Sequence, residues 1–324
     1  MVIALIFLII IFSLVLIKSA DQVVVAIRRI AKETHAGIFA VSSIILAVST
    51  SFPELFVGVT SALEGESDLA LGVVLGSNIA NIALIGAAAA FIVGHVNINK
   101  DYIREDLFFA FLAGILPFGL LVLDRNLTRI DGLILVSTYL AYATGFFKHR
   151  YEQIGREHKE EGFVYRFFRK VKNIESVKSK ELARLFIAIA LMLFSADMIV
   201  NLSKSLAVNA NIDLFVIGLI VLAIGTSLPE FAFSIRSLED REPVMFLGNI
   251  LGSIIANSTL IVGITVLLNP INSIVFSEYI IAVIVFVFTY LSFWYFIRTK
   301  HTLIRWEAGI LMLMYSIFLI IEFI

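Results

Sequence analysis

Two short polar sequences occur twice in this chain, in each case 176 residues apart. Residues 47–54 read AVSTSFPE and residues 223–230 read AIGTSLPE, while residues 76–81 read GSNIAN and residues 252–257 read GSIIAN. The chain is therefore a doubled unit. These four repeated motifs, called words below, contain the polar residues of otherwise apolar segments. A glutamate within hydrocarbon is costly and usually functional. Two glutamates in matching places predict one site that both halves build.

The composition is that of a polytopic membrane protein. Of the 324 residues, 60% are hydrophobic and only 16% are charged, and a soluble protein cannot bury so much apolar surface. The chain has no cysteine, which excludes a disulfide framework and a thiolate metal site. Residues 1–17 lack the basic start of a cleaved signal peptide, so we expect them to form the first spanning helix.

Ten apolar segments separated by polar breaks predict an all-α protein with ten transmembrane helices. Residues 1–148 map onto 177–324 at the same offset, which places five segments in each half. An odd number of spans inserts the second copy in the opposite orientation, the inverted-topology architecture of many secondary transporters. We expect a first five-helix repeat at 1–148, a linker at 149–176 and a second, inverted repeat at 177–324. The predicted spans are 2–28, 37–63, 69–93, 105–123, 128–147, 182–204, 212–238, 243–268, 275–298 and 303–323.

The distribution of lysine and arginine predicts the orientation of these spans. Between Lys148 and Arg184 lie 11 of the 25 basic residues, so the positive-inside rule places the linker in the cytoplasm. Alternating the spans from there puts 22 basic residues on the cytoplasmic side and only Arg125, Arg129 and Lys204 on the other, with both termini outside. The linker is too short for a folded domain, and we expect a solvated tether that contacts anionic lipid.

The first repeated word contains the groups of a cation site. Thr50 and Glu54 are four residues apart and share a helix face. Pro53 has no N–H, so the carbonyl of Ser49 loses its usual partner. Carbonyls between Ala47 and Thr50 can then point into a cavity where protein or water satisfies them. The second word repeats this set of carbonyl, hydroxyl and carboxylate oxygens with Ala223, Thr226, Ser227, Pro229 and Glu230.

The other two words add hydroxyls and amides. Ser77 lies four residues before Asn81, and Ser253 lies four residues before Asn257, so each pair shares a helix face. Ca²⁺ takes about six to eight oxygen ligands, often with bidentate carboxylates, and two carboxylates balance its charge. The missing thiolate and imidazole ligands argue against Zn²⁺ and Cu²⁺.

Each feature alone has a structural explanation. A serine or threonine in a membrane helix usually bonds its own backbone, and a proline usually marks a kink. Their joint occurrence, twice and in register, favours a functional site. Glycines at small-xxx-small spacing further predict close contacts between these helices and a neighbour. They are Gly72, Gly76, Gly248 and Gly252.

These motifs resemble the two α-repeats of the cation/Ca²⁺ exchanger superfamily, most of all those of the prokaryotic sodium/calcium exchangers. STSFPE at 49–54 and GTSLPE at 225–230 resemble the signature G-T-S-x-P-E, and the words at 76–81 and 252–257 resemble G-S-N-x-x-[DN]. The resemblance implies that the second, third, seventh and eighth helices enclose the ions, and that the first and sixth slide past them to alternate access. It implies ion ligands at Glu54, Glu230, Asn81, Ser77, Ser253, Thr50, Thr226, Ser51 and Ser227, and at the carbonyls of Ala47 and Ala223.

Two residues depart from the family's pattern. Ser49 stands where the first signature usually has glycine, whereas Gly225 keeps it. Asn257 stands where sodium/calcium exchangers often have an aspartate. We expect Asn257 to be a ligand or a hydrogen-bond organiser that adds no charge, which leaves a site with two carboxylates.

The resemblance implies a secondary antiporter that exchanges Ca²⁺ for Na⁺ across a prokaryotic cell membrane. H⁺/Ca²⁺ exchangers and K⁺-dependent Na⁺/Ca²⁺ exchangers share this architecture, so both functions are kept as alternatives. A cation channel would repeat a selectivity filter around a pore axis, usually through oligomerisation. Here the repeated words instead form one two-fold site within a single chain. An intramembrane metal hydrolase would need a histidine pair or a nucleophile with its base, but the five histidines lie in loops or near helix ends. We therefore expect no enzyme activity, no cofactor besides the transported ions, and no nucleic-acid or obligate protein partner.

Overall fold

The computed structural model describes residues 2–33, 50–97, 104–154, 179–271 and 276–322, and most of them are helical. Within these residues, three π-helical segments interrupt longer helices: π1 (Asn81–Gly86), π2 (Gly218–Leu222) and π3 (Ala256–Ile261). The α-helices are α1 (Val2–Glu33), α2 (Phe52–Leu63), α3 (Ser67–Ala80), α4 (Ala87–Val93), α5 (Arg104–Asp124), α6 (Arg129–Ile154), α7 (Ser179–Ala210), α8 (Leu214–Ile217), α9 (Ala223–Thr226), α10 (Leu228–Glu239), α11 (Pro243–Ile255), α12 (Val262–Leu268), α13 (Phe276–Lys300) and α14 (Arg305–Glu322).

Several of these helices are long and apolar enough to cross a membrane. A broken helix, Leu214–Thr226 followed by Leu228–Glu239 with a bend of 41°, adds one span if its two parts are counted together. Described helices fall within all ten predicted segments, although the part of the second segment before residue 50 lies outside the described residues. Among the described residues, the five continuous spanning helices are Val2–Val23, Ser67–Val93, Ala183–Ala210, Pro243–Leu268 and Tyr279–Arg298.

The backbone leaves the helix at equivalent points of the two proline-containing words. Ser227, between α9 and α10, has φ −86° and ψ 7°, and Ser51, before α2, has φ −89° and ψ 10°. Pro229 and Pro53 then occupy the second helical position, where a missing N–H leaves no intrahelical bond unmade. The predicted break is therefore confirmed at the second word. At the first word only Thr50 and the residues after it are described.

The π segments were not foreseen from the sequence. π1 begins at Asn81, and Asn257 is the second residue of π3. A π segment inserts an extra residue into a helical turn and is frequent at functional sites. It leaves the apolar pattern of the helix unchanged, so composition and periodicity carry no signal for it.

Two of the four glycines permit a close helix contact, as predicted. A Cβ at Gly72 would collide with the carbonyl oxygen of Phe215, and a Cβ at Gly76 would collide with that of Leu219. The obstacle is backbone in both cases, so α3 can approach α8 and π2 this closely only with glycine at these positions.

The other two glycines show no such contact within the described part of the chain. A Cβ at Gly248 or Gly252 meets no atom there within 4 Å. The segment that matches 215–223 at the offset of 176 is 39–47, which lies outside the described residues. The predicted close approach of Gly248 and Gly252 therefore stays a prediction.

Helices α1 and α7 pack along each other and share a hydrophobic cluster distinct from the main core. The rings of Phe12 and Phe194 meet edge to face with centroids 6.0 Å apart. Leu16, Met192 and Ile199 are fully buried in this cluster. The main core instead joins α3, α11, α12 and α13 with their neighbours.

Loops that the predicted topology places on one side of the membrane meet in the structure. Lys204 pairs with Glu64 and with Glu66, each at 3.3 Å, and Ser67 Oγ donates a hydrogen bond to the Asn269 carbonyl at 2.9 Å. At the other end of the Ser67–Val93 helix, strand β1 (His95–Asn97) pairs antiparallel with β2 (Thr302–Ile304). The described loops thus gather at two ends, and Lys204 lies at the same end as Glu64 and Glu66.

Candidate cation site

Glu54 and Glu230 are buried inside the helical core. Their exposed fractions are 0% and 1%. Each lies in the first turn of the helix that follows a break, Glu54 in α2 and Glu230 in α10. Unpaired N–H groups and the helix dipole stabilise negative charge at such a position. The Pro-Glu pair of each word thus sets a carboxylate at the start of a helix in the interior.

Hydroxyl groups from the opposite half surround the Glu54 carboxylate. Ser227 Oγ donates a hydrogen bond to Glu54 Oε1 at 3.4 Å, and Thr226 also faces this carboxylate. Ser77, from the same half as Glu54, faces it as well, with its Oγ 3.5 Å from Thr226 Oγ1. The structure therefore brings the first word of one half against the matching word of the other.

The Glu230 carboxylate has the corresponding neighbours. Ser253 Oγ donates to Glu230 Oε1 at 3.5 Å, and Thr50 of the other half faces the same carboxylate. The two glutamates lie close enough to repel each other electrostatically. Contacts of 3.4–3.5 Å are long for a hydroxyl bound to a carboxylate, so these oxygens hold one another weakly.

Several buried oxygens around the glutamates lack a hydrogen-bond partner among the described residues. Glu54 and Glu230 each have one satisfied and one unsatisfied carboxylate oxygen. Buried polar atoms without a partner are rare because each costs about 1–3 kcal/mol. The unsatisfied oxygens in this region are Ser51 Oγ, Glu54 Oε2, Asn81 Oδ1, Glu230 Oε2 and Asn257 Oδ1. Such a set of hard oxygens matches the ligand preference of Ca²⁺ and of other hard cations.

The carbonyl of Ala223 is less free than the sequence predicted. It accepts a hydrogen bond from the Ser227 N–H at 3.2 Å, although a carbonyl oxygen keeps a second lone pair. The hydroxyl of Thr226 likewise bonds the Leu222 carbonyl at 3.0 Å. Ala47 lies outside the described residues.

Sequence reasoning missed one polar residue beside this set, Asn78. It is 1% exposed, donates from Nδ2 to Ser258 Oγ at 2.7 Å, and accepts from Asn257 Nδ2 at 3.2 Å. It stands within the word GSNIAN at 76–81, but its counterpart in the second half is Ile254. Comparing the two words position by position, for difference as well as for identity, would have identified it.

Several known proteins are similar to this chain in sequence and in overall fold. A sequence model of the family described as "Sodium/calcium exchanger protein" matches residues 4–148 and 180–324. The sodium/calcium exchanger MaX1 of Methanosarcina acetivorans is 27% identical over 98% of each chain. The inner membrane protein YrbG of Escherichia coli is 29% identical over 81% of this chain and 79% of YrbG. A solved structure of the sodium-calcium exchanger NCX_Mj, soaked with 10 mM Na⁺ and zero Ca²⁺, superposes with a TM-score of 0.59 at 26% identity and covers 98% of both chains.

Proposed function

Since this chain belongs to the sodium/calcium exchanger family of membrane antiporters, we propose that it exchanges Ca²⁺ for Na⁺ at a site that Glu54 and Glu230 build. One observation carries the proposal: two buried carboxylates from opposite halves each keep one oxygen without a hydrogen-bond partner among the described residues. A divalent cation would satisfy both oxygens and balance both charges.

We propose that the site takes Ca²⁺ and Na⁺ alternately. Ca²⁺ lies between the two carboxylates. Na⁺ binds to the hydroxyl and carbonyl oxygens that flank each carboxylate. It also uses carboxylate oxygens that Ca²⁺ needs. The two ions therefore compete. The ligands that we propose are Glu54, Glu230, Asn81, Asn257, Ser77, Ser253, Thr50, Thr226, Ser51 and Ser227, with the carbonyls of Ala47 and Ala223.

The architecture that we propose is ten membrane-spanning helices in two inverted five-helix repeats. The repeats are 1–148 and 177–324, joined by a cytoplasmic linker at 149–176, with both termini outside. The contact of Lys204 with Glu64 and Glu66 supports it, since the same alternation of spans puts all three at the outer end. The 22-to-3 division of basic residues supports the orientation.

For alternating access, we propose that α1 and α7 move together past the helices that hold the ions. The packing of α1 along α7 supports movement as one unit. Their hydrophobic cluster also contains residues of α2, α3, α8 and π2, which would form the surface past which the pair moves: Val57, Leu69, Val73, Ile217 and Leu222. The polar words lie on α2, α3, π1 and α9 to π3, so such a movement leaves the carboxylates in place. We propose no cofactor and no enzyme activity, and no partner beyond the ions and the lipid of a prokaryotic cell membrane.

The coupling ion is tested in proteoliposomes. Vesicles that contain the purified protein are loaded with Na⁺, K⁺ or a buffer of different pH, and the uptake of radioactive Ca²⁺ is measured. An outward Na⁺ gradient should drive uptake with saturation kinetics. Uptake driven by a pH gradient and indifferent to Na⁺ would establish H⁺/Ca²⁺ exchange instead. A requirement for K⁺ together with Na⁺ would establish the K⁺-dependent form, and a flux that does not saturate would indicate a channel.

A further inference from the structure

The two asparagines of the site have different surroundings. Asn81 and Asn257 are equivalent at the offset of 176, and both are fully buried. Asn257 donates from Nδ2 to Asn78 Oδ1 at 3.2 Å, and only its Oδ1 lacks a partner. For Asn81, both Nδ2 and Oδ1 lack a partner among the described residues.

The sequence explains this difference. The partner of Asn257 is Asn78, which Ser258 holds in turn at 2.7 Å. At the offset of 176, Asn78 corresponds to Ile254 and Ser258 corresponds to Ile82. An isoleucine side chain neither accepts nor donates a hydrogen bond. The chain of hydrogen bonds therefore exists on one side of the pseudo-two-fold site and has apolar residues in its place on the other.

The hydrogen bond to Asn78 holds the side-chain amide of Asn257 in one orientation. An asparagine side chain presents a carbonyl oxygen at one end and an NH₂ group at the other, and only the oxygen can bind a cation. Asn78 Nδ2 is occupied by Ser258, so Asn78 turns its oxygen towards Asn257 and accepts from the Asn257 NH₂ group. The Asn257 oxygen is then the end left free. Asn257 follows Ser253, which contacts Glu230, by four residues on the same helix.

We propose that Asn78 is a positioning residue for cation exchange, which turns the carbonyl oxygen of Asn257 towards the ion and so makes the two amide ligands of the site unequal. Asn257 offers a fixed oxygen, whereas Asn81 rotates to fit the ion that is present. The proposal rests on the proposed exchange function. It adds that this orientation depends on a residue that binds no ion itself.

The test is a double-mutant cycle on Ca²⁺ uptake by Na⁺-loaded vesicles. The variants are Asn78→Ile, which copies Ile254 of the other half, Asn257→Ala, and the two combined. Loss of a residue that orients a metal ligand typically weakens metal binding by about 10- to 100-fold. We expect Asn78→Ile to raise the KM for Ca²⁺ by such a factor with little change in kcat. The combined variant should be no worse than Asn257→Ala, because Asn78 acts only through Asn257.

Two further variants keep the test decisive. Asn209→Ala removes an exposed asparagine whose one side-chain hydrogen bond among the described residues is to the Ser205 carbonyl, and it should leave the KM unchanged. Ser258→Ala removes the outer hydrogen bond by a smaller change, and it should raise the KM about threefold or more. The KM of Ser258→Ala tests the role of Asn78 even if Asn78→Ile does not fold. Folding of Asn78→Ile is judged by its unfolding temperature in detergent.

The outcomes separate the two proposals. An unchanged KM in folded Asn78→Ile, or in Ser258→Ala, overturns the role of Asn78. So do effects of Asn78→Ile and Asn257→Ala that simply multiply in the combined variant. A wild-type protein that shows no Ca²⁺ uptake under any imposed gradient contradicts the proposed function itself.

Discussion

Ser227 Oγ donates a hydrogen bond to Glu54 Oε1 at 3.4 Å, across 173 residues of sequence. The two residues belong to the same repeated word in opposite halves of the chain. A carboxylate that one half supplies is thus contacted by a hydroxyl that the other half supplies. A shift of one half relative to the other would change the oxygens that surround each carboxylate.

We expect Ser227→Ala to weaken Ca²⁺ exchange without abolishing it. The loss of one hydroxyl that donates to a carboxylate costs about 1 kcal/mol, which is roughly fivefold in the KM for Ca²⁺. Uptake by Na⁺-loaded vesicles measures the effect. The matched control is Ser316→Ala, which removes an exposed hydroxyl that donates to the Met312 carbonyl of its own helix. Equal KM values for Ser227→Ala and the control would mean that Ser227 does not take part in the site.

We expect Glu54→Gln and Glu230→Gln each to abolish exchange in a folded protein. Each substitution leaves one negative charge to face a divalent ion. A unit charge about 4 Å from a divalent ion is worth about 8 kcal/mol at an effective dielectric constant near 20, which is enough to bring exchange below detection. The exposed Glu64→Gln is the control, because Lys204 keeps Glu66 as a partner. Near-normal uptake by either buried variant would refute the assignment of that carboxylate.

We expect Gly76→Ala to destabilise the protein by about 1–3 kcal/mol. The added Cβ would press on the Leu219 carbonyl and on the Ala223 side chain, and the backbone there cannot move aside without disturbing π2. Thermal unfolding in detergent measures the loss. Gly309→Ala, where a Cβ meets no atom of the described residues within 4 Å, should unfold no earlier than the wild type. An unchanged unfolding temperature for Gly76→Ala would contradict the close approach of α3 and π2.

We expect Glu64→Cys and Asp240→Cys to be labelled from opposite sides of the membrane. The two positions are equivalent at the offset of 176, so inverted repeats put one outside and the other in the cytoplasm. The chain has no other cysteine, and the substitution at Asp240 removes an exposed pair with Arg236, which contributes little. An impermeant thiol reagent applied to intact cells should label position 64 and not position 240. Labelling of both from the same side would exclude the inverted arrangement.

We expect Asn257→Asp to leave exchange working but to make it more sensitive to pH. An amide does not titrate, whereas a carboxyl does. In this variant a protonated carboxyl at position 257 can still donate to Asn78 Oδ1, as Nδ2 does in the wild type. An ionised carboxylate cannot, and it adds a third negative charge that strengthens cation binding and slows release. Exchange is measured against pH for both proteins, and superimposable profiles would mean that position 257 lies outside the influence of the site.

The sequence by itself determined the helical membrane class, the doubled plan and the residues of the repeated words. These follow from local properties, since an apolar run must be helical in lipid and a buried Glu beside Pro is expensive anywhere. The break at Ser227 was predictable for the same reason, because Pro229 cannot donate a backbone hydrogen bond.

Only the tertiary structure decided which of these residues meet. Spacing along the chain relates Ser77 to Asn81, but it does not relate Ser227 to Glu54 or Asn257 to Asn78, because those contacts depend on how the two halves dock. The docking requires Gly72 and Gly76 against the backbone of the other half, and the π segments re-aim the side chains that follow them. The inequality of Asn81 and Asn257 arises in the same way: the repeated words are nearly identical, but Asn78 and Ser258 lie beside one of the two asparagines and isoleucines replace them in the other half.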